Sequence, residues 1–367
     1  MLSVVTYTYN DHGFVLAMLR RLERFSSVIG QVVVVDDGSD APFVAPPGPF
    51  ADRQFVVRHA ANQGPAFAKR TGLARAAGPY ILSADSDIAW DALWFYGALE
   101  LARDPGVGLV GARILEKNHG DSLSAARHFA SLAKAGEEAR GFARGGLWLM
   151  RKDVFDAVGG LGDYDRATHE DWHFCRKVRQ RGWRVVLPEK GTVLQTRRIG
   201  RAQCVRRDAL YLADAYAAVI ARGEPSAILT VMALEIDEAK AIAAQCGCPL
   251  LVYLALAKFA AVFARLWGAL PGSGAGSATM ATVAAAVAAA FAAYPLLVRT
   301  VAADCGLPFP VQGAADGDAG ALGAIFAYLA ETVGADVLRG LEETALPRAL
   351  AEEAALGHDF HFMDDRP

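Results

Sequence analysis

The chain has 367 residues, of which 53% are hydrophobic and 21% charged, and its formal net charge is -3 at pH 7. This composition is typical of a folded globular protein and excludes an intrinsically disordered chain. The small net charge also gives no reason to expect bulk binding of nucleic acid. Because one hydrophobic core rarely extends over a chain of this length, we expect two domains.

The first hundred residues alternate between strand and helix patterns. Strands are predicted at residues 2–7, 31–35, 55–57 and 80–82, and helices at residues 14–25 and within 62–77. Residues 31–35 (QVVVV) are almost wholly apolar, as in a strand whose two faces are both covered. This alternation predicts an α/β domain with a doubly wound, mainly parallel sheet and right-handed crossovers.

Acidic residues follow two of these strands at their C-terminal ends, where open α/β sheets bind their ligands. Asp85 and Asp87 come directly after strand 80–82, and two such carboxylates can hold Mg²⁺ or Mn²⁺ while water and phosphate oxygens complete the coordination. Asp37 follows strand 31–35 and can accept hydrogen bonds from a nucleoside. Taken alone, each pattern is more typical of a polar turn.

A further acidic pair, Glu170 and Asp171, opens an amphipathic helix predicted over residues 172–180. A carboxylate here can act as a general base towards an attacking hydroxyl, although acids in a first turn also stabilise the helix N-terminus. We predict that Asp171 is the base and that Glu170 has a helix-terminus or acceptor-binding role. Residues 176–207 hold eleven Lys or Arg against Glu189 alone, which suits a diphosphate, an anionic membrane or a solvated helix face.

From residue 201 the sequence changes to Ala- and Leu-rich helical segments, interrupted by a Gly/Ser-rich break at 271–277. We therefore predict a mainly α-helical second domain over residues 201–367, of unknown role, after an α/β domain over residues 1–200. Residues 278–298 carry no charge, but alanine dominates them, so a buried or interfacial helix is favoured over a transmembrane one. The tail at 358–361 is predicted to be a disordered or docking end.

Cysteine usage and the N-terminus indicate the compartment. Cys246 and Cys248 are too close for the usual zinc spacing, and no second pair of Cys or His accompanies them. We therefore expect free thiols in a reducing cytoplasm. The N-terminus lacks a basic region followed by an apolar run, so no signal peptide is predicted.

Several motifs follow one another in the order found in a known family. They are SVVTYTYND (3–11), VVVVDDGSD (32–40), NQGPAFAKRTG (62–72), ADSD (84–87), GGLWLMRKD (145–153), VGGL (158–161) and HEDWHFCRKVRQRGWRV (169–185). In this order they resemble the inverting family-2 glycosyltransferases of the GT-A fold, over about residues 2–201. The resemblance implies transfer of a sugar from a nucleoside-diphosphate sugar to an acceptor hydroxyl with inversion.

The resemblance also implies roles for particular residues. It places Tyr7, Asp37, Lys69, Asp85 and Arg198 at the nucleotide sugar, Asp85, Asp87 and Gln195 at a Mn²⁺ or Mg²⁺ ion, and Asp171 with Glu170 at the acceptor side. A UDP-sugar is the favoured donor, and the acceptor is a glycan, a lipid-linked sugar or a protein. A cytoplasmic location is expected, and peripheral association with the inner face of the membrane is left open.

Departures from the family pattern keep an alternative open. Lys69 replaces an arginine, Ile88 replaces an acid, and Gln195 stands where a metal-binding histidine is common. An amide oxygen is a poorer ligand for Mn²⁺ than imidazole, so Arg197 or Arg198 would share the phosphate charge. A glycosyltransferase-like binding protein that has lost turnover fits these departures. A nucleotidyltransferase is disfavoured, because the N-terminus offers no Gly-rich basic phosphate loop.

Overall fold

A computed structural model describes residues 1–117, 120–133, 141–162, 164, 168–221, 225–266, 280–308 and 319–356. The chain divides into two compact units, the first formed mainly by residues 1–117 and 131–197 and the second by residues 118–130 and 198–362. The predicted boundary between residues 200 and 201 therefore takes no account of residues 118–130. The segments at 271–277 and 358–361 lie outside the described residues.

Ten strands are described, all in the first unit. In chain order they are β1 (Leu2–Thr8), β2 (Ile29–Asp36), β3 (Gln54–Arg58), β4 (Tyr80–Ala84), β5 (Ile88–Trp90), β6 (Val107–Val110), β7 (Ile114–Glu116), β8 (Leu147–Arg151), β9 (Arg184–Val186) and β10 (Val193–Gln195). Seven of them form a sheet in the order β3-β2-β1-β4-β8-β6-β9, and β5, β10 and β7 form a smaller sheet. In the larger sheet only β8 runs antiparallel to its neighbours.

The described helices are named in chain order. They are α1 (His12–Leu22), α2 (Pro65–Ala74), α3 (Ala92–Ala102), α4 (Ser122–Ala133), α5 (Lys152–Ala157), α6 (Glu170–Gln180), α7 (Arg201–Ala221), α8 (Pro225–Cys246), α9 (Leu250–Leu266), α10 (Met280–Ala290), α11 (Pro295–Cys305), α12 (Ala319–Val333), α13 (Ala335–Gly340) and α14 (Leu346–Ala355). A 3-10 turn (Glu23–Phe25) follows α1, and a π-helical turn (Leu341–Ala345) precedes α14.

Helices cover both faces of the larger sheet. Val4 and Val32 belong to the core that contains α1 and α3, whereas their neighbours Val5 and Val33 belong to the core that contains α2 and α6. Successive residues of a strand point to opposite faces, so a strand covered on both sides is apolar throughout. This arrangement confirms the predicted doubly wound, mainly parallel α/β fold followed by helices.

Most differences from the predicted elements concern their ends. The helix predicted from residue 14 to 25 begins at His12 and ends at Leu22, and the helix predicted within 62–77 begins at Pro65. Proline suits a first helical position, because it has no N–H to leave unpaired and its φ is already helical. The strand predicted at 31–35 extends over Ile29–Asp36.

The second unit contains helices and no strand among its described residues. Residues 280–298, predicted as part of one buried or interfacial helix, divide between α10 and α11, because Pro295 begins a new helix. Within the described chain, no helix is long and apolar enough to cross a membrane. All five cysteines are free, as predicted; four are buried and Cys246 is half-buried.

A buried polar cluster lies inside the second unit. The Arg201 guanidinium donates to Asp304 Oδ2 at 2.6 Å and lies 3.1 Å from Glu353 Oε2, and the Tyr253 hydroxyl also donates to Asp304. Burial raises the pKa of Asp304 to about 6, although the charge of Arg201 lowers it. Glu353, which pairs with the same guanidinium, adds to the effect of burial. Asp304 therefore holds a proton more readily than an ordinary aspartate does.

This raised pKa predicts a specific pH dependence of stability. An unfolded aspartate has a pKa of about 3.9, so folded Asp304, with a pKa of about 6, binds its proton more tightly than the unfolded chain does. Its contribution to the free energy of unfolding therefore falls as pH rises from about 4 to about 6. Asp304→Asn cannot titrate and should remove on the order of 3 kcal/mol of this dependence.

Urea unfolding of the wild type and of Asp304→Asn across this pH range measures the effect as the difference in their free energies of unfolding. A difference that stays constant with pH would contradict the raised pKa. Asp336→Asn is the matched control, because the Asp336 side chain is 100% exposed. That variant should follow the wild type at every pH.

Candidate active site

The C-terminal ends of the parallel strands form one edge of the larger sheet, and the predicted site residues gather there. Asp37 follows β2 and Asp85 follows β4. The reversed strand β8 starts at this same edge, and Leu147 pairs with Ala84. As a result the Asp85 N–H donates to the Gly146 carbonyl at 2.9 Å. The reversal therefore brings Gly146, which precedes β8, next to the Asp-Ser-Asp sequence at residues 85–87 (the DxD motif).

Asp85 has one carboxylate oxygen held by the protein. The Tyr7 hydroxyl donates to Asp85 Oδ1 at 2.8 Å, and Lys69 Nζ lies 3.7 Å from the same oxygen. Burial raises the pKa of Asp85 to about 6, with Lys69 opposing and Asp87 adding to the effect. Burial and the nearby Asp85 raise the pKa of Tyr7 well above its usual value, so its hydroxyl stays a donor.

The Asp87 carboxylate is held by side chains at and just after the end of β10, a strand of the small sheet. Gln195, at the end of β10, donates its Nε2 to Asp87 Oδ2 at 3.2 Å, and Arg197 donates its Nε to the same oxygen at 3.0 Å. The Arg197 guanidinium also pairs with Asp11 and lies 4.4 Å from the centroid of the Phe14 ring. Burial lowers the pKa of Arg197, but Asp87 and Asp11 outweigh it, so the net shift is upward and the charge is permanent.

The two DxD carboxylates fit a divalent cation. Within the described chain, Asp85 Oδ2 and Asp87 Oδ1 accept no protein hydrogen bond. The same part of the chain contains no group of three or more His, Cys, Asp or Glu that could hold a metal. Mg²⁺ and Mn²⁺ are commonly bound by one or two carboxylates together with substrate phosphates, and this donor set suits that mode. Gln195 as a metal ligand stays a prediction.

Asp171 lies in the first turn of α6, and two backbone amides orient its carboxylate. The Gly145 N–H donates to Asp171 Oδ2 at 3.1 Å, and the Trp172 N–H donates to Oδ1 at 2.7 Å. Burial and the adjacent Glu170 raise the pKa of Asp171, while Lys69 opposes this. A raised pKa brings a carboxylate closer to the basicity that general-base catalysis near neutral pH requires.

Glu170 faces Lys69 instead of the solvent. Its Oε1 accepts a hydrogen bond from Lys69 Nζ at 2.7 Å, and its side chain is 12% exposed. Burial would raise the pKa of Glu170, but Lys69 lowers it below the usual value. Glu170 is therefore an ionised partner of a buried lysine, and an acceptor-binding role for it stays a prediction.

Two glycines allow these groups to approach one another. A Cβ at Gly145 would lie 2.8 Å from both Glu170 Oε1 and Lys69 Nζ, and one at Gly146 would lie 3.6 Å from Asp85 Oδ2 and 2.8 Å from a side-chain atom of Ile114. Contacts of 2.8 Å are too short for carbon. A larger residue at Gly145 would displace Glu170 or Lys69, and one at Gly146 would displace the Ile114 side chain.

Two further predicted nucleotide contacts, Asp37 and Arg198, have other surroundings. Asp37 is buried, and its carboxylate accepts from the N–H groups of Gln63 and Gly64 and contacts His59 Nδ1 at 2.6 Å. These bonds organise the loop before α2. Arg198 belongs to the second unit, where it lines a small cavity. Nucleotide contacts of both residues stay predictions.

Asp11, Arg197 and Gly145 contribute contacts that the sequence did not clearly assign. Asp11 stands at the N-cap position of α1, but its side chain makes no capping bond and pairs with Arg197 instead. The sequence named Arg197, as an alternative to Arg198, only for sharing the phosphate charge and not as a partner of Asp87 or Asp11. Gly145 was visible only as part of a family motif.

The order of the strands and the acidic residues at their C-terminal edge agree with the GT-A fold that the motifs implied. Residues 3–159 match the family model described as "Glycosyl transferase family 2". This segment of the first unit is therefore similar to that family, as the order of its motifs predicted.

Curated relatives are similar over part of their length. Pre-mycofactocin glycosyltransferases of two strains of Mycobacterium tuberculosis are 28% identical over 225 residues, which is 58% of this chain and 47% of theirs. The chain thus spans about half the length of the curated relatives it matches.

Two solved structures are similar to this chain at low sequence identity. The mannosyltransferase PcManGT from Pyrobaculum calidifontis, in complex with GDP-Man and Mn²⁺, is 20% identical, with a TM-score of 0.45, over 89% of this chain and 84% of that one. TarS of S. aureus, residues 1–349, is 16% identical, with a TM-score of 0.42, over 83% of this chain and 88% of that one.

Proposed function

We propose that the protein transfers a sugar from a nucleoside-diphosphate sugar to an acceptor hydroxyl with inversion. One observation carries the proposal: the dipeptide Gly145–Gly146 joins the two acidic motifs. The Gly146 carbonyl accepts from the Asp85 amide, and the Gly145 amide donates to Asp171. A donor-side carboxylate and a candidate base are thereby held on one short backbone segment, as a displacement between two substrates requires.

On the donor side, Asp85 and Asp87 would hold Mg²⁺ or Mn²⁺, which would neutralise charge on the diphosphate. Tyr7 fixes the orientation of Asp85, and Gln195 that of Asp87. The Arg197 guanidinium adds a fixed positive charge next to Asp87. These residues bind and orient the leaving group before the sugar moves.

On the acceptor side, Asp171 accepts the proton of the attacking hydroxyl. The amides of Gly145 and Trp172 hold its carboxylate in one orientation. As the acceptor oxygen bonds to the anomeric carbon, the bond to the diphosphate breaks on the opposite face, and the configuration inverts. General-base assistance of this kind contributes about 10²–10⁴-fold to the rate.

The partners follow from the same proposal. A UDP-sugar is the first donor to test, and the acceptor is a glycan, a lipid-linked sugar or a protein. The five free thiols support a reducing compartment, which suits a cytoplasmic enzyme, and peripheral contact with the inner face of the membrane belongs to the same proposal.

Calorimetric titration of UDP, GDP and TDP, with and without Mn²⁺, tests the donor site. We expect one nucleotide to bind in a metal-dependent manner and Asp87→Ala to weaken that binding by about 10-fold or more. Asp156→Ala is the control, because Asp156 forms a surface pair with Lys152. That variant should bind like the wild type.

The outcomes separate the two candidate functions. If the folded protein binds none of the nucleotides, the glycosyltransferase assignment of the site fails. If it binds a nucleotide but does not hydrolyse the matching sugar nucleotide, a binding protein without turnover is favoured. The engagement of Asp87 by both Arg197 and Gln195 is the feature that supports this second function.

A further inference from the structure

Lys69 is a buried cation at the centre of the site. Its ammonium donates to the Gly145 carbonyl at 3.0 Å and to Glu170 Oε1 at 2.7 Å, and it lies 3.7 Å from Asp85 Oδ1. It also lies 5.2 Å from the centroid of the Trp148 ring. An ammonium has three N–H donors; two of them form these hydrogen bonds, and Asp85 lies at ion-pair distance, beyond hydrogen-bond reach. The Lys69 side chain is 2% exposed, so its ammonium is enclosed by protein groups and a phosphate has little access to it.

The contacts of Lys69 reach Asp171 by two routes. One route is the peptide of Gly145, whose carbonyl accepts from Lys69 and whose amide donates to Asp171. The other is Glu170, the residue that precedes Asp171 in the first turn of α6. Lys69 therefore contacts Gly145, whose amide donates to Asp171, and Glu170, which precedes Asp171 in the chain.

The charges explain why a cation is needed at this place. Glu170 and Asp171 are adjacent and largely buried, so their carboxylates repel one another and resist ionisation. The Lys69 ammonium offsets this repulsion, and Glu170 in turn keeps the buried lysine charged. Without Lys69, the first turn of α6 would carry two acids and would lose the ammonium that pairs with Glu170.

We infer that Lys69 is a positioning residue, which fixes Asp171 through Gly145 and Glu170, and that it does not contact the nucleotide. This inference rests on the proposed function in one respect, namely that Asp171 is the general base. It replaces the nucleotide contact that the family resemblance implies for position 69. If Lys69 positions Asp171, its substitution should lower turnover. If Lys69 contacts the nucleotide, its substitution should lower nucleotide affinity.

Lys69→Met keeps the length of the side chain and removes its charge. We expect it to lower kcat for metal-dependent hydrolysis of the donor by about 10²-fold, the usual cost of a small misplacement of a catalytic group. The dissociation constant of the nucleotide with Mn²⁺ should stay unchanged. Lys152→Met, which breaks only the surface pair with Asp156, is the control and should leave both constants unchanged. A loss of nucleotide affinity as large as the loss of kcat would overturn the inference.

The double variant Lys69→Met/Glu170→Gln separates positioning from stability. Removing both charges should restore much of the stability lost in Lys69→Met, because position 170 then no longer holds a buried charge without its partner. Turnover should stay low, because the Gly145 carbonyl still lacks its donor. Recovery of turnover together with stability would show a merely structural role and overturn the inference.

Failure of the proposed function can be told apart from failure of this inference. If the wild type does not hydrolyse any donor, the proposed function fails. Hydrogen exchange of the Gly145 amide, which donates to Asp171, then decides the inference. Faster exchange of this amide in Lys69→Met, with unchanged nucleotide affinity, supports positioning. Unchanged exchange overturns it.

Discussion

Asp171→Asn should reduce turnover by about 10²–10⁴-fold and leave nucleotide binding unchanged. Asparagine has the same shape, and its side-chain oxygen can still accept from the Gly145 amide that now bonds Asp171. It cannot take a proton from the acceptor, however. The loss should therefore appear in kcat, with the dissociation constant of the nucleotide and Mn²⁺ preserved.

Metal-dependent hydrolysis of the donor, with water as the acceptor, measures this loss without knowledge of the natural acceptor. Asp153→Asn is the control with the same chemical change, because the Asp153 side chain is 72% exposed. Burial and Glu170 raise the pKa of Asp171, so the acidic limb of the wild-type rate profile should lie above the ordinary range of aspartate. Wild-type turnover in Asp171→Asn would show that another group is the base.

Asp304→Ala should lower the free energy of unfolding by about 3 kcal/mol at neutral pH. The substitution takes an anionic partner from the buried Arg201, and it removes the carboxylate to which the Tyr253 hydroxyl donates. Removal of one partner from a buried ion pair is costly, because the remaining charge stays out of water. Glu353 still faces Arg201, which places the loss at the lower end of the usual range.

Urea unfolding at neutral pH measures this loss, and two variants calibrate it. Tyr253→Phe removes one hydrogen bond to Asp304 and should cost about 1 kcal/mol. Asp336→Ala removes a carboxylate that is 100% exposed and should be indistinguishable from the wild type. If Asp304→Ala behaved like Asp336→Ala, the buried cluster would make no net contribution to stability.

The sequence predicted the features that depend on local pattern. The apolar run QVVVV identified a strand covered on both faces, and the acids after it and after residues 80–82 identified the binding edge of the sheet. The first turn of α6 could be placed because acidic residues precede an amphipathic segment. Each of these signals lies within a few residues of the feature it predicts.

Features that depend on strand order could not be predicted in this way. The reversal of β8 brings Gly145 and Gly146 to Asp85, and no local pattern in GGLWLMRKD indicates its direction. The pairing of Arg197 with Asp11 joins residues 186 positions apart. The burial of Lys69 likewise depends on α6 supplying Glu170 from 101 positions away. Long side chains at such positions can be assigned only when the tertiary fold is known.

The second unit is assembled from two separate stretches of chain, because residues 118–130 belong to it as well as residues 198–362. Leu123 and Ala126 of the earlier stretch are part of its hydrophobic core. A single recombination crossover near the codon for residue 197 would therefore replace most helices of the second unit. It would retain α4, whose Leu123 and Ala126 belong to the core of that unit. Recombination in evolution, or a gene fusion in the laboratory, would have to exchange both stretches together to yield a stable hybrid.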